Sequence, residues 1–162
     1  MLGYHFVLTP DQQRRLLAAA DAGDQDAVGE IVEEIEETDS YTDDLRVGTD
    51  KAWDAIHRCL SDGSLDPDGG VYPLSYAILG GRHLHDDYYV CYVSAAEVRD
   101  VAAALVGIDE PELRRRYDRI GEDYQQPRDD VDFQYTWENF VDVCAFYGRA
   151  AAAECAVIFT AT

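Results

Sequence analysis

Apolar positions along this chain fall into short runs and helical stripes, and the two patterns predict strands interleaved with helices. The run Gly3 to Leu8 predicts a first strand. Thr9-Pro10 reads as the cap and first residue of a helix that continues through Leu16, Leu17 and Ala20 until Gly23 breaks it. Asp24 caps the next helix, where Val28, Ile31, Val32 and Ile35 recur at helical spacing. Glu33, Glu34, Glu36 and Glu37 fill its solvated faces. A polar stretch runs from Thr38 to Gly48, and Thr49 reads as the cap of a helix from Asp50 to about Leu60. The Asp- and Gly-rich segment after it resembles a calcium loop only superficially: Gly70 stands where a third oxygen ligand belongs, and no later Glu follows, so it reads as a turn. Pro73 to Leu79 predicts a short helix stopped by Gly80-Gly81.

Tyr88 to Val93 is a continuous apolar run of strand type, buried on both faces. Ser94 and Glu97 fit a capping box for a helix whose inward stripe is Val98, Val101, Ala102 and Leu105. Asp109-Glu110-Pro111-Glu112 opens another helix, which runs to about Ile120. Gly121 to Gln134 reads as polar and irregular. Trp137, Phe140, Val141, Cys144, Tyr147 and Ala151 form a long helical stripe. Phe146 points away from it, toward a second layer or a subunit partner. Cys155 to Thr160 is a last strand. The expectation is a mixed α/β (α+β) fold in one domain over residues 1–162: a small, mostly buried mixed sheet of about three core strands (near 3–8, 88–93 and 155–160), layered with six to seven helices. The strands lie far apart in sequence, so crossover connections predict at least some parallel pairing.

Charge narrows the function classes. The chain carries 33 acids against 13 bases, a net charge of −20. Nucleic-acid binding needs a basic footprint, which is lacking, and an anionic membrane surface is disfavoured for the same reason. No apolar run approaches the roughly 20 residues of a membrane span. The opening Met1 to Phe6 has no basic leader, so a cytoplasmic location is expected. Cys59, Cys91, Cys144 and Cys155 form no CxxC pair and sit in apolar patterns, which suits free thiols in a reducing compartment. Twelve of the bases are Arg and one is Lys, so part of the acidity reflects composition rather than a partner.

Two segments could carry chemistry. On a helix from Asp50 to Leu60, Ala52, Trp53, Ile56 and Leu60 form the buried stripe, and Asp50, Asp54 and His57 line one edge of it. Two carboxylates beside an imidazole can orient a general base or bind a metal. Lys51, the sole lysine, falls near Asp54 and Arg58 on the wheel. The candidate catalytic residues are therefore Lys51, Asp54 and His57, with Asp50, Trp53 and Tyr72 as candidate binding residues. The same residues also have an ordinary structural reading: Asp50 at the positive helix end, an Asp54–Arg58 pair, and His57 packed on Trp53 and bonded to a carbonyl. The second segment is 82–87. His83, His85 and Asp87 share a face if the chain is extended, which makes them candidate metal ligands; turns also attract such residues without a metal. No nucleophile elbow, Walker loop, dinucleotide fingerprint or zincin motif is found, and no cofactor is predicted.

These segments resemble the YfbM-like proteins, a bacterial family of unknown function. The resemblance rests on Gly3-Tyr4; on Asp50-Lys51 with Trp53-Asp54 and His57; on Pro73-Leu74 with Ala77 to Gly80; on Tyr89 to Leu105; on Glu112-Leu113-Arg114; and on Ala156 to Phe159. The pieces span most of the chain in order, and the Asp50–His57 segment is the most specific; Gly121 to Tyr135 matches poorly. The resemblance implies a compact layered αβ domain in the bacterial cytoplasm and names no reaction.

Three functions compete. A non-enzymatic regulatory module would hold a basic protein partner on the acidic surface. A small-molecule enzyme or binder would have its pocket near the Asp50–Leu60 helix. A variant of the second adds a metal at His83, His85 and Asp87. The first is favoured by the charge and by the lack of a catalytic template. A monomer and a homodimer are both compatible with the sequence.

Overall fold

The computed structural model of this chain describes residues 1–38, 42 and 44–162. Five strands form one sheet: β1 (Gly3–Val7), β2 (Arg46–Asp50), β3 (Arg82–His83), β4 (Tyr89–Val93) and β5 (Val157–Ala161), in the order β2-β1-β5-β4-β3. Among the described residues there are six α-helices: α1 (Pro10–Asp21), α2 (Gln25–Glu37), α3 (Ala52–Leu60), α4 (Ala95–Leu105), α5 (Glu110–Tyr117) and α6 (Asp130–Ala152). The mixed α/β expectation holds, but the strand count is corrected from about three to five. The three apolar runs are β1, β4 and β5, in the middle of the sheet. The two strands that pattern reading misses are its edges. β2 has the sequence RVGTD, with Arg46, Gly48 and Asp50 exposed, and β3 is two exposed residues, so neither carries an apolar run.

The pairing is also corrected: every ladder is antiparallel. Val93, where β4 ends, pairs with Val157, where β5 begins, and Phe6 near the end of β1 pairs with Arg46 at the start of β2. The helices between paired strands thus return the chain to the end of the sheet that it left. Long connections act here as enlarged hairpins, not as crossovers.

Alternation along the central strands divides the core in two. Phe6, Val90, Tyr92 and Ile158 face Leu16 of α1 and Val28, Ile31, Val32 and Ile35 of α2. Val7, Cys91, Val93, Val157 and Phe159 face α3 to α6. The caps read from sequence form: Thr9 and Gln12 make a reciprocal capping box, and the side chains of Asp24, Ser94 and Asp109 accept from the third residue of their helices. Thr49 is a correction. It lies buried on β2 and donates through Oγ1 to the carbonyl of Gly3 at 3.1 Å, so it belongs to the sheet and does not cap a helix. Pro73 to Leu79 is reduced to a single 3-10 turn at Leu74–Tyr76. Helix α6 starts inside the stretch read as irregular, where Asp129 caps it by accepting from the amide of Asp132. The stripe is also corrected: Phe146 lies on the buried face of α6 with Phe133, Phe140, Val143, Tyr147 and Ala150, its ring 5.6 Å from that of His5 on β1, while Val141 is exposed.

Candidate functional site

The segment singled out by sequence is where β2 passes into α3. Asp50 is the last residue of β2, not the first turn of the helix; its φ of 46° lies in the left-handed region. Asp50, Asp54 and His57 therefore do not share one helix edge. The Asp50 carboxylate accepts a bond from the hydroxyl of Tyr135 on α6 at 2.7 Å, and that hydroxyl accepts from the amide of Lys51 at 3.2 Å. Tyr135 thus clamps the strand-to-helix corner. Lys51 is exposed at the helix cap, and its ammonium pairs with no described residue.

The next residues turn inward. Trp53 is 6% exposed; its indole N–H donates to the carbonyl of Met1 at 3.3 Å, and its ring meets Tyr89 and Phe159. His57 is sealed in the core. Its Nε2–H donates to the carbonyl of Asp66 at 2.9 Å, and its Nδ1 accepts from the amide of Leu79 at 3.4 Å. Both ring nitrogens are thus committed to backbone, which fixes a neutral tautomer, and burial lowers the pKa. Lys51 lies on the surface, Asp54 at the rim and His57 inside, and none of the three lines the cavities described below.

Arg58 organises more of this region than sequence reading suggests. It is 3% exposed; Nε donates to Asp54 at 2.5 Å and Nη1 to Asp123 at 3.0 Å, and its guanidinium lies 5.7 Å from the ring centroid of Tyr124. The hydroxyls of Tyr117 and Tyr124 both donate to Oδ2 of Asp132, at 2.5 and 2.9 Å. Burial, and then that carboxylate, pushes both phenols well above their ordinary range. Asp123, Tyr124 and Asp132 lie in the stretch read as irregular, so no periodicity could have drawn attention to them.

The second segment does not assemble as extended alternation suggests. Nε2 of His83 donates to the carbonyl of Leu79 at 2.7 Å, while the His85 ring stacks 4.0 Å from Tyr88 and accepts from the amide of Asp87 at 3.2 Å. The strand ends at His83 and the chain bends at Asp86 and Asp87, so alternation stops before the trio is complete. Among the described residues, no three His, Cys, Asp or Glu side chains gather as a metal site would need. Tyr72, the remaining candidate, is partly exposed, donates to Asp100 at 2.6 Å and packs edge-on against Tyr76.

One histidine escaped notice. His5 lies in the first apolar run, points into the α3–α6 layer and is fully buried against Phe146, Tyr147 and Phe159. Its Nε2–H donates to the carbonyl of Ala77 at 2.8 Å, which also accepts from the Tyr147 hydroxyl at 2.9 Å. Nδ1 is the single buried side-chain N or O atom without a partner among the described residues, and burial lowers the imidazole pKa to about 4. A lone polar residue inside an apolar run was the available signal.

Two cavities bear on binding. One, of about 780 Å³, lies along β2 and carries both signs of charge, with Arg46 and Arg149 among Glu36, Asp44 and Asp142. The other, of about 310 Å³, opens at the C-terminal end of α3 beside Arg58 and Cys59. No described helix is long and apolar enough to cross a membrane.

Comparison with known proteins agrees with this architecture. Residues 1–160 match the family described as "Domain of unknown function (DUF1877)". Among solved structures, the chain is similar to a protein of unknown function, YfbM, from Escherichia coli. The TM-score is 0.72 with 20% sequence identity, over 99% of each chain, and at that identity the likeness speaks for the fold. No curated protein matches.

Proposed function

This chain belongs to the DUF1877 family, in which no activity is assigned, and from that premise we propose that it is a non-enzymatic binding module of the bacterial cytoplasm that holds a basic protein partner. The observation that carries the reading is the surface of α2. This helix bears six carboxylates, Asp26, Glu30, Glu33, Glu34, Glu36 and Glu37, and no base. Glu34 is paired with Arg15, and Glu36 accepts from Thr160. Asp26, Glu30, Glu33 and Glu37 are exposed and engage no base among the described residues. Asp86 is held beside the start of α2, where its backbone N–H donates to the side-chain carbonyl of Gln25 at 2.9 Å. Such a field draws in a basic partner quickly and weakens with salt. Charge reversal of Glu30, Glu33 and Glu37 to Lys, followed by pull-down at low and moderate salt, tests it. Basic proteins retained at low salt by the parent and not by the variant support the proposal; equal retention by both, or none by either, overturns it.

A second reading, a small-molecule binder, draws on the 310 Å³ cavity. It is bordered by Arg58 and Cys59 of the Asp50–Leu60 segment.

A further inference from the structure

Building on the small-molecule reading, we infer that the cavity at the C-terminal end of α3 takes a phosphate group, free or as a monoester, held by Arg58, Arg116 and Arg119. Three of the chain's 13 bases line this one void, in a protein of net charge −20. Each has donors to spare. Arg58 is fixed by Asp54, by Asp123 and by the carbonyl of Gly63, which use Nε and Nη1; its Nη2 bonds to no described residue. The only unpartnered buried side-chain N or O atom among the described residues belongs to His5, so that Nη2 is not fully enclosed, and Arg58 lines the cavity. Arg116 spends Nε on Glu112 at 2.9 Å and Nη1 on the carbonyl of Cys59 at 3.3 Å, again leaving Nη2. Arg119 is exposed, and its guanidinium bonds to no described residue.

The carboxylates on the wall are already occupied. Asp62 accepts from the amide and hydroxyl of Ser64 at 3.0 and 2.6 Å, and Glu112 accepts from Arg115 and Arg116. The lining therefore holds three guanidinium groups against two engaged carboxylates. The negative end of α3 is offset by Arg116 on the carbonyl of Cys59. Ser61 also lines the cavity; its hydroxyl donates to the carbonyl of Ser64 across 3.5 Å, a long bond that it can exchange for one to a ligand oxygen. A phosphate presents enough acceptor oxygens to engage three guanidinium groups at once, which a carboxylate with two oxygens does not. Arg58 is held in place by its carboxylate partners before any ligand arrives, so little side-chain freedom is lost on binding.

The test is titration of the ¹⁵N-labelled full chain with inorganic phosphate and, in parallel, with phenyl phosphate, each against chloride of matched ionic strength. The amides of Ser61 and Gly63 are expected to shift saturably. Arg119→Ala is expected to weaken binding about tenfold, a charge-assisted bond's worth. Arg99→Ala, which removes one charge from the exposed face of α4, is expected to leave it unchanged. Tighter binding of phenyl phosphate assigns the site to a phosphomonoester, and tighter binding of inorganic phosphate to the free ion. Equal weakening by the two variants would show a general field effect and overturn the assignment, as would the absence of saturable shifts with either phosphate. Succinate is the separating arm. Saturable succinate shifts at Gly63 without phosphate shifts overturn the phosphate assignment and leave the small-molecule reading standing. That reading falls in turn if a metabolite screen also leaves Gly63 unmoved.

Discussion

Replacing His5 by Phe should flatten the acid side of the stability curve while changing stability little near neutrality. Burial lowers the His5 pKa from 6.5 to about 4, so the folded protein keeps the imidazole neutral where the unfolded chain takes up a proton. The sign follows from linkage. This contribution is fully present above pH 6.5 and is lost as pH falls toward about 4, because only the unfolded state binds the proton in that window. At about 1.4 kcal/mol per pH unit, the whole window amounts to about 3 kcal/mol. The Phe ring occupies the same place between Phe146, Tyr147 and Phe159. The carbonyl of Ala77 keeps its bond from Tyr147 at 2.9 Å, and the unpartnered Nδ1 disappears. Loss of one hydrogen bond, removal of an unsatisfied nitrogen and a slightly larger ring offset one another, leaving a change within about 1.5 kcal/mol at pH 7.5. Urea unfolding of both proteins across pH measures the difference, in which carboxylate and His57 contributions cancel. Between about pH 6.5 and about pH 5, the parent should lose about 2 kcal/mol more than the variant. Parallel curves would refute the reasoning, because they would mean that His5 protonates as readily folded as unfolded.

Arg58→Met strands two carboxylates, but Asp123 is 66% exposed and Asp54 28%, so both can rehydrate; the expected cost is about 2 kcal/mol in urea unfolding, below that of breaking a fully enclosed pair. Gly81→Ala should cost more than about 2 kcal/mol in the same assay, since φ is +86° and the added Cβ would lie 2.4 Å from the carbonyl oxygen of Tyr92. Burial pushes the thiols of Cys59 and Cys91 up to about 12, so an alkylating reagent at neutral pH should label neither until urea unfolds the chain, as mass mapping would show.

What the sequence disclosed follows from where solvent lies. β1, β4 and β5 are covered on both faces, so apolar residues dominate them despite His5 and Thr160, and Thr9, Asp24, Ser94 and Asp109 do what short polar residues do at helix starts. β2 and β3 sit at the rims of the sheet, where polar residues cost nothing, and they were invisible to periodicity. Thr49 shows how the same residue type serves two roles: local pattern fits a cap, and only the partner strand turns its hydroxyl toward Gly3. Around the candidate site, the identities of Lys51, Asp54 and His57 were legible, while their divergence was not. The left-handed turn at Asp50 is clamped by Tyr135, 85 residues on, and the two backbone partners of His57, Asp66 and Leu79, lie outside its helix. The cluster of Arg58, Asp123, Tyr124 and Asp132 depends on a loop folding back onto α3, which spacing does not encode.

The position of β5 carries a consequence for how the molecule comes into being. It follows the other four strands in sequence and yet lies between β1 and β4. Without Val157–Ala161 in place, β1 with β2 and β3 with β4 share no backbone ladder and are linked only through the helices packed on them, and each offers an unsatisfied backbone edge. Closure waits for contacts such as Gly3 with Ala161, which span nearly the whole chain. Sheet closure therefore depends on long-range pairing, which slows folding, and the two half-sheets stay exposed to aggregation until this strand inserts.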